Sequence, residues 1–134
     1  MKVDIVTPIG EQYVGEAEEL IAPGVVGEFG LLGRHRDLCV ALGTGVCRIK
    51  RENGDVEHIL LDEGYLQISH GDRVIIVTEH AERKDDIDGN KTREQFDKAK
   101  AELDAARESI GKSSWQVKKH ALSLAEARLR LLET

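Results

Sequence analysis

Cysteine is scarce in this chain of 134 residues, with only Cys39 and Cys47 present. They lie eight apart among apolar neighbours, which is neither metal-ligand nor redox-motif spacing, so both read as small core hydrophobes in a reducing compartment. No disulfide framework is needed either, because a chain of this length buries a core without staples. Long apolar runs are also missing. Nothing approaches the ~18 consecutive apolar residues of a membrane-spanning helix. The opening MKVDIVTPIGEQ has neither the apolar stretch of a secretory signal nor the Arg/Ser-rich character of a transit peptide. These absences lead to the expectation of a soluble, cytoplasmic protein.

Positive charge is lacking in one part of the chain only. Residues 1–88 carry nine Lys and Arg against eighteen Asp and Glu, a net of −9, whereas residues 89–134 carry ten against seven, a net of +3. An acidic body argues against nucleic-acid binding, and a basic tail is suited to an acidic protein surface.

The first 78 residues hold short β-branched runs broken by turn signals every 8–12 residues, the pattern of an all-β sandwich. Strands are predicted at 3–7, 12–16, 19–23, 28–32, 38–42, 46–51, 56–61, 65–69 and 73–78. Turns are predicted at Glu52-Asn53-Gly54-Asp55 and His70-Gly71-Asp72. The run 46–51 alternates between a buried and a wet face, while Val74-Ile75-Ile76-Val77 is apolar on both faces and is expected to lie deep. In the stretch 23–35, PGVVGEFGLLGRH, glycine recurs at 24, 27, 30 and 33. That spacing fits strand ends and tight turns where backbone passes close to backbone, on a rigid edge suited to docking.

The texture changes at Glu79, where a polar linker is expected over 79–91. Thr92 with Gln95 reads as a capping box opening a helix, with Phe96, Ala99, Leu103, Ala106 and Ile110 on one face. Gly111 is expected to end it, and Ser113 with Gln116 to open a second helix carrying Leu122, Ala125, Leu129 and Leu132 on one face. Alanines at 99, 101, 105, 106, 121, 125 and 127 keep the pair thin enough for a close antiparallel hairpin. Such a hairpin would bury little area on the sandwich, so its docking is expected to be weak and reversible.

No catalytic constellation emerges. Ala106–Ser113, ARESIGKS, resembles a loosened phosphate loop, but a charged helix precedes it where a strand is required, so a helix–turn–helix connection explains it better. Histidines 35, 58, 70, 80 and 120 have no metal-ligand spacing. The acid pairs Glu18-Glu19, Asp62-Glu63 and Asp85-Asp86 read as solvated edges, and no serine or threonine sits in a nucleophile elbow.

An ordered set of segments does carry a resemblance: VDIVTPIGE at 3–11, APGVVGEFGLLGRH at 22–35, LCVALGTGVCRI at 38–49, LDEGYLQI at 61–68 and VIIVTEHAERKDDID at 74–88. Taken in order, the chain resembles the ε subunit of bacterial F-type ATP synthase over nearly its whole length. The resemblance implies a flattened antiparallel β-sandwich of about ten strands (1–84), followed by a linker and an antiparallel two-helix hairpin (85–134). It implies a non-catalytic central-stalk subunit on the cytoplasmic face of the bacterial membrane. There the sandwich would grip the γ subunit and sit on the ring of c subunits, helping to couple proton flow to ATP synthesis. The hairpin, extended toward the α and β subunits, would restrain ATP hydrolysis.

By position, Glu28, Phe29, Gly30, Arg34 and His35 match the c-ring and γ contacts. Lys118, Lys119, Arg128 and Arg130 would face acidic loops of the β subunits, in keeping with the charge split. No metal is implied. Some members bind ATP as a regulatory ligand, which here would fall on Asp88, Lys91 and Lys98; lysine lacks the planar fork of the arginines usual there, which weighs against that site. The segment 33–37, Gly-Arg-His-Arg-Asp, lacks two usual prolines and carries three extra charges, so docking there is expected to be least typical. A usual Gly-Gly is Glu63-Gly64 in this chain. The alternative reading is a free-standing β-sandwich adaptor whose hairpin binds another protein.

Overall fold

The computed structural model describes residues 1–106 and 113–134. Alternation of β-branched residues with polar ones produces nine strands close to where the pattern puts them. These are β1 (Lys2–Thr7), β2 (Gly10–Glu16), β3 (Glu19–Gly24), β4 (Gly27–Leu31), β5 (Leu38–Leu42), β6 (Gly45–Lys50), β7 (Val56–Leu61), β8 (Gly64–Ser69) and β9 (Arg73–Thr78). A tenth, β10 (Ala81–Glu82), pairs with β7 inside the segment expected to be a linker.

Hydrogen bonding runs β10-β7-β6-β3-β5-β8-β9-β1-β2, with β4 pairing only with β3. Strand β3 joins the two halves of the sandwich: Glu19 to Ile21 pair with β6, while Gly24 pairs with Leu42 of β5. All pairings are antiparallel except β1 with β9, which is parallel. Between the halves lies one core that includes Val3, Ile5, Leu20, Ile49, Ile59, Leu61, Leu66 and Ile76, each at most 1% exposed. Buried Cys47 belongs to it, as the pattern predicts, but Cys39 alternates outward and is exposed.

Both predicted turns form. His70 and Gly71 take positive φ, the geometry that joins tightly twisted strands, and Asn53 closes the other turn through its Oδ1, which accepts from Asp55 N at 2.9 Å. At the β3–β4 tip Gly24 opposes Gly27, and a Cβ on Gly24 would come within 2.7 Å of the Gly27 carbonyl. The close-approach reading therefore holds at that tip, but Gly30 lies within β4, where a Cβ would make only ordinary contacts at 4.0 Å with Ile21 and the Leu20 carbonyl.

The polar segment after β9 is more ordered in kind than expected. Beyond β10 comes a 3-10 turn (Lys84–Asp86), in which Arg83 N donates to Asp86 Oδ2 at 2.9 Å. Helix α1 (Gly89–Ala105) is then capped by Asp88, whose carboxylate accepts from Lys91 N at 3.1 Å. Thr92 is therefore not the cap; it lies one turn inside and is 3% exposed. Asp88 takes the role because an aspartate at that place satisfies an orphan amide as well as a threonine does, and starting earlier buries Thr92 on the apolar face.

Phe96, Ala99, Leu103 and Ala106 share that face as predicted. Ile110, Gly111 and Lys112 lie outside the described residues, as does most of the phosphate-loop lookalike. Helix α2 (Ser113–Leu132) packs antiparallel to α1, but Ala101, Ala105 and Ala121 face solvent and do not thin the contact.

Helix α2 uses two faces. Ala125 is buried and Leu122, Leu129 and Leu132 half-buried, as the stripe requires. A second stripe, Leu124, Ala127 and Leu131, packs on Val46, Leu60 and Ile87. Leu60, Ala127 and Leu131 are fully buried there. This small cluster docks α2 onto the outer face of β6 and β7, and α1 rides on α2.

Candidate functional site

The chain has two outer sheet faces, and they are treated differently. On β6 and β7 the outward residues Val46 and Leu60 lie beneath α2. On the other half, strands β2-β1-β9-β8-β5 expose a largely apolar face that no element among the described residues covers. Register aligns Val14, Asp4, Ile75, Gln67 and Cys39 in one row, and Val6, Val77, Tyr65 and Ala41 in the next. Val14, Tyr65 and Ile75 are 46%, 47% and 36% exposed.

The Val74–Val77 run therefore does not lie deep throughout. Val74 and Ile76 enter the core, while Ile75 and Val77 face outward. A strand apolar on both faces needs cover on both, and here the described residues supply only one. Within this face Asp4 Oδ1 is buried and has no hydrogen-bond partner among the described residues. A docking surface with that composition fits a partner that supplies apolar area and one donor. Its signal in the sequence was the pair Ile75 and Val77 on the outward positions of β9, whereas the outward positions of β1 and β8 mix Val6 and Tyr65 with Lys2, Asp4, Gln67 and Ser69.

The residues expected at the docking edge fall at opposite ends of β4. Glu28 lies beside the tip, where Val25 and Val26 are 65% and 99% exposed, and its carboxylate pairs with Arg48 of β6 at 3.3 Å. Phe29 turns inward against the core, and Gly30 is exposed. Past the other end, His35 N donates to Gly71 O at 2.9 Å and Asp37 Oδ1 accepts from His70 N at 3.1 Å, so the β8–β9 turn holds this segment. Arg34 takes a left-handed φ of 49°. Glu28 and His35 thus belong to two separate surfaces.

Helix α2 is tied to the sandwich by polar contacts that no spacing rule reveals. His120 Nε2 lies 2.7 Å from Asp62 Oδ1, which also accepts from Thr44 Oγ1 at 3.0 Å. Asp62 is 9% exposed, so this member of an acid pair is not a solvated edge. Arg128 donates through Nε and Nη2 to the two oxygens of Glu82 on β10, at 2.9 and 2.8 Å. The pair is largely out of water, with side chains 23% and 12% exposed.

His80 Nε2 reaches the same Glu82 carboxylate at 2.7 Å. Burial pushes the Glu82 carboxyl upward, but hydrogen bonds from Arg128 and His80 and their charges outweigh it and leave its pKa below the ordinary carboxylate value. The same bond from Glu82 raises Arg128. At the end of α2, Lys84 Nζ donates to Thr134 O at 2.8 Å.

Of the other basic residues named for α2, Lys119 lies over the Trp115 ring at 5.2 Å, Arg130 borders a cleft with Arg48 and His58, and Lys118 is half-buried. Asp88 and Lys91 line a cleft of about 270 Å³ that includes Glu82, Asp86 and Arg128. Lys98 is not among its lining residues; it reaches toward Glu102 on the exposed side of α1. Three carboxylates face Lys91 and an arginine already occupied by Glu82, and this donor set does not suit a triphosphate. Among the described residues no three His, Cys, Asp or Glu side chains are placed to hold a metal ion, and no helix is long and apolar enough to cross a membrane.

Residues 1–84 match the family model described as ATP synthase, Delta/Epsilon chain, beta-sandwich domain. The ATP synthase epsilon chain of Geotalea uraniireducens is 33% identical over 98% of this chain and 92% of its own length. That of Trichodesmium erythraeum is 35% identical over 97% and 93%. In fold, the chain is similar to one in the mitochondrial ATP synthase of Euglena gracilis solved by cryo-EM, with a TM-score of 0.80 at 18% identity, covering 98% of this chain and 80% of that one. The chain belongs to the ATP synthase delta/epsilon chain family.

Proposed function

We propose that the chain is the central-stalk, rotor subunit of a proton-translocating F-type ATP synthase, without catalysis of its own, at the cytoplasmic face of a bacterial membrane. The observation that carries this reading is the division of the two outer sheet faces. One is covered by the chain's own hairpin, and the other, around Tyr65 and Ile75, presents apolar side chains. The uncovered face suits a permanent neighbour such as the γ subunit. The β3–β4 tip, with Val25, Val26 and Glu28, would meet the c-ring, and the surface at Arg34 and His35 would add contacts toward γ.

The hairpin supplies the regulatory half. Docked, α2 spends Arg128 on Glu82 and His120 on Asp62. Released, its basic residues Lys118, Lys119, Arg128 and Arg130 would oppose acidic loops of the β subunits and restrain hydrolysis. Among the described residues the apolar part of the docking surface is the small cluster around Leu60 and Leu131, so release costs little core. The polar ties at its edges add to the hold.

Removal of residues 89–134 tests this half. Reconstituted synthase carrying the truncated chain is expected to assemble normally and hydrolyse ATP faster than synthase with the full chain. Unchanged hydrolysis in an assembled, coupled enzyme would overturn the regulatory reading.

A further inference from the structure

The Glu82–Arg128 pair differs from an ordinary surface ion pair in three ways. It joins residues 46 positions apart, it is a two-bond fork, and both side chains are mostly shielded from water. A guanidinium carries five N–H donors, and the Nε–Nη2 edge that Glu82 fills is closed to a second carboxylate. While Glu82 holds it, Arg128 cannot offer that two-donor edge to an acidic partner, and its side chain is only 23% exposed.

We propose that Glu82 is an internal mimic of the hairpin's external acidic partner. By occupying Arg128 it keeps α2 on the sandwich, and the fork must break before that cation can engage an acidic surface elsewhere. The inference rests on the regulatory reading above, and it names the contact that sets the balance between the docked and released hairpin.

The surroundings favour a switch over a simple strut. Besides Arg128, Glu82 faces His80 on its own segment, and Arg128 also feels the charge of Asp62 beneath the same helix. The apolar cluster under α2 is small, so loss of a shielded two-bond contact shifts a large share of the docking energy. Exchanging one carboxylate partner for another conserves the bonds that Arg128 makes, so the two states lie close in energy and are easily biased.

Three variants of the full chain test this: Glu82→Gln, Arg128→Gln, and the exchanged pair Glu82→Arg with Arg128→Glu. Hydrogen exchange of α2 amides is read against those of β8 and β9 in the same molecule. Each single variant is expected to speed exchange in α2 at least tenfold while β8 and β9 stay unchanged, and the exchanged pair is expected to restore protection. Unchanged α2 exchange in both single variants would overturn the proposal, as would equal loss of protection in β8 and β9, which would mark Glu82 as a residue of the general fold.

In reconstituted synthase the two single variants are expected to diverge. Glu82→Gln leaves Arg128 free and lowers hydrolysis below wild type, whereas Arg128→Gln releases the hairpin without its cation and raises it. Changes in the same direction would overturn the masking role. If α2 exchange responds while hydrolysis ignores the variants and the hairpin truncation alike, the regulatory reading fails and the docking clamp stands.

Discussion

Asp62 and His120 meet across 58 residues of chain, with Oδ1 and Nε2 2.7 Å apart. Asp62 begins the β7–β8 connection and His120 lies in the first half of α2, so the contact fixes that half of the helix to the sandwich. His120→Ala should weaken hairpin docking by about 1 kcal/mol, the worth of one polar contact of this kind. Faster hydrogen exchange confined to the helices is the expected readout, and uniform exchange across sandwich and helices would contradict it.

Acid should release the hairpin through Glu82. Its pKa in the docked state is lowered from the ordinary value of 4.5, so the undocked state takes up the proton first as pH falls. The stabilisation is fully present above the ordinary value and is lost as pH drops through the lowered one. The chain's single tryptophan, Trp115 on α2, is the natural reporter. Its emission should shift in that window in the wild type and much less in Glu82→Gln; identical titrations would refute the assignment.

The two thiols should behave differently. Burial pushes Cys47 up to about 12, while Cys39 lies exposed on the outer sheet face. A thiol-specific reagent at pH 8 is expected to modify one cysteine per native chain and two after unfolding. Rapid modification of both in the native chain would contradict the placement of Cys47 in the core.

Glu63 and Gly64 form a strained corner at the start of β8. Glu63 takes a φ of 55°, and a Cβ at Gly64 would strike the Val77 carbonyl. Replacing Glu63 with glycine is expected to raise stability by about 0.5–1 kcal/mol, because the left-handed conformation costs a side-chain-bearing residue more. Replacing Gly64 with alanine is expected to cost about 3 kcal/mol or more. Thermal unfolding of both variants is the check, and a stable Gly64→Ala chain would contradict this backbone geometry.

Much of the fold was legible because strands announce themselves locally. β-branched residues alternate, Asn53-Gly54 and His70-Gly71 mark turns, and a change of period marks the helices. What escaped depends on contacts distant in sequence. β10 is two residues in a polar run, visible only through its pairing with β7. Asp88 displaced Thr92 as cap because the helix gains by burying Thr92 on its apolar face. The second stripe of α2 does not stand out in the sequence because Ala127 and Leu131 flank the stronger leucine row. Glu82–Arg128 and Asp62–His120 join segments that no spacing rule connects. The outer face of β9 was legible in Val74–Val77, but apolar alternation on both sides does not say whether the chain or a partner covers the second side.

Binding of γ by the uncovered sheet face tests the central claim most directly. Purified chain mixed with γ is measured by gel filtration as wild type and as Ile75→Asp, a change at an exposed position that leaves the core intact. The account predicts a stable complex for the wild type and a loss of affinity of at least tenfold for Ile75→Asp, with unchanged thermal unfolding of the free chain. Equal binding by both, or no complex with γ at all, would contradict it.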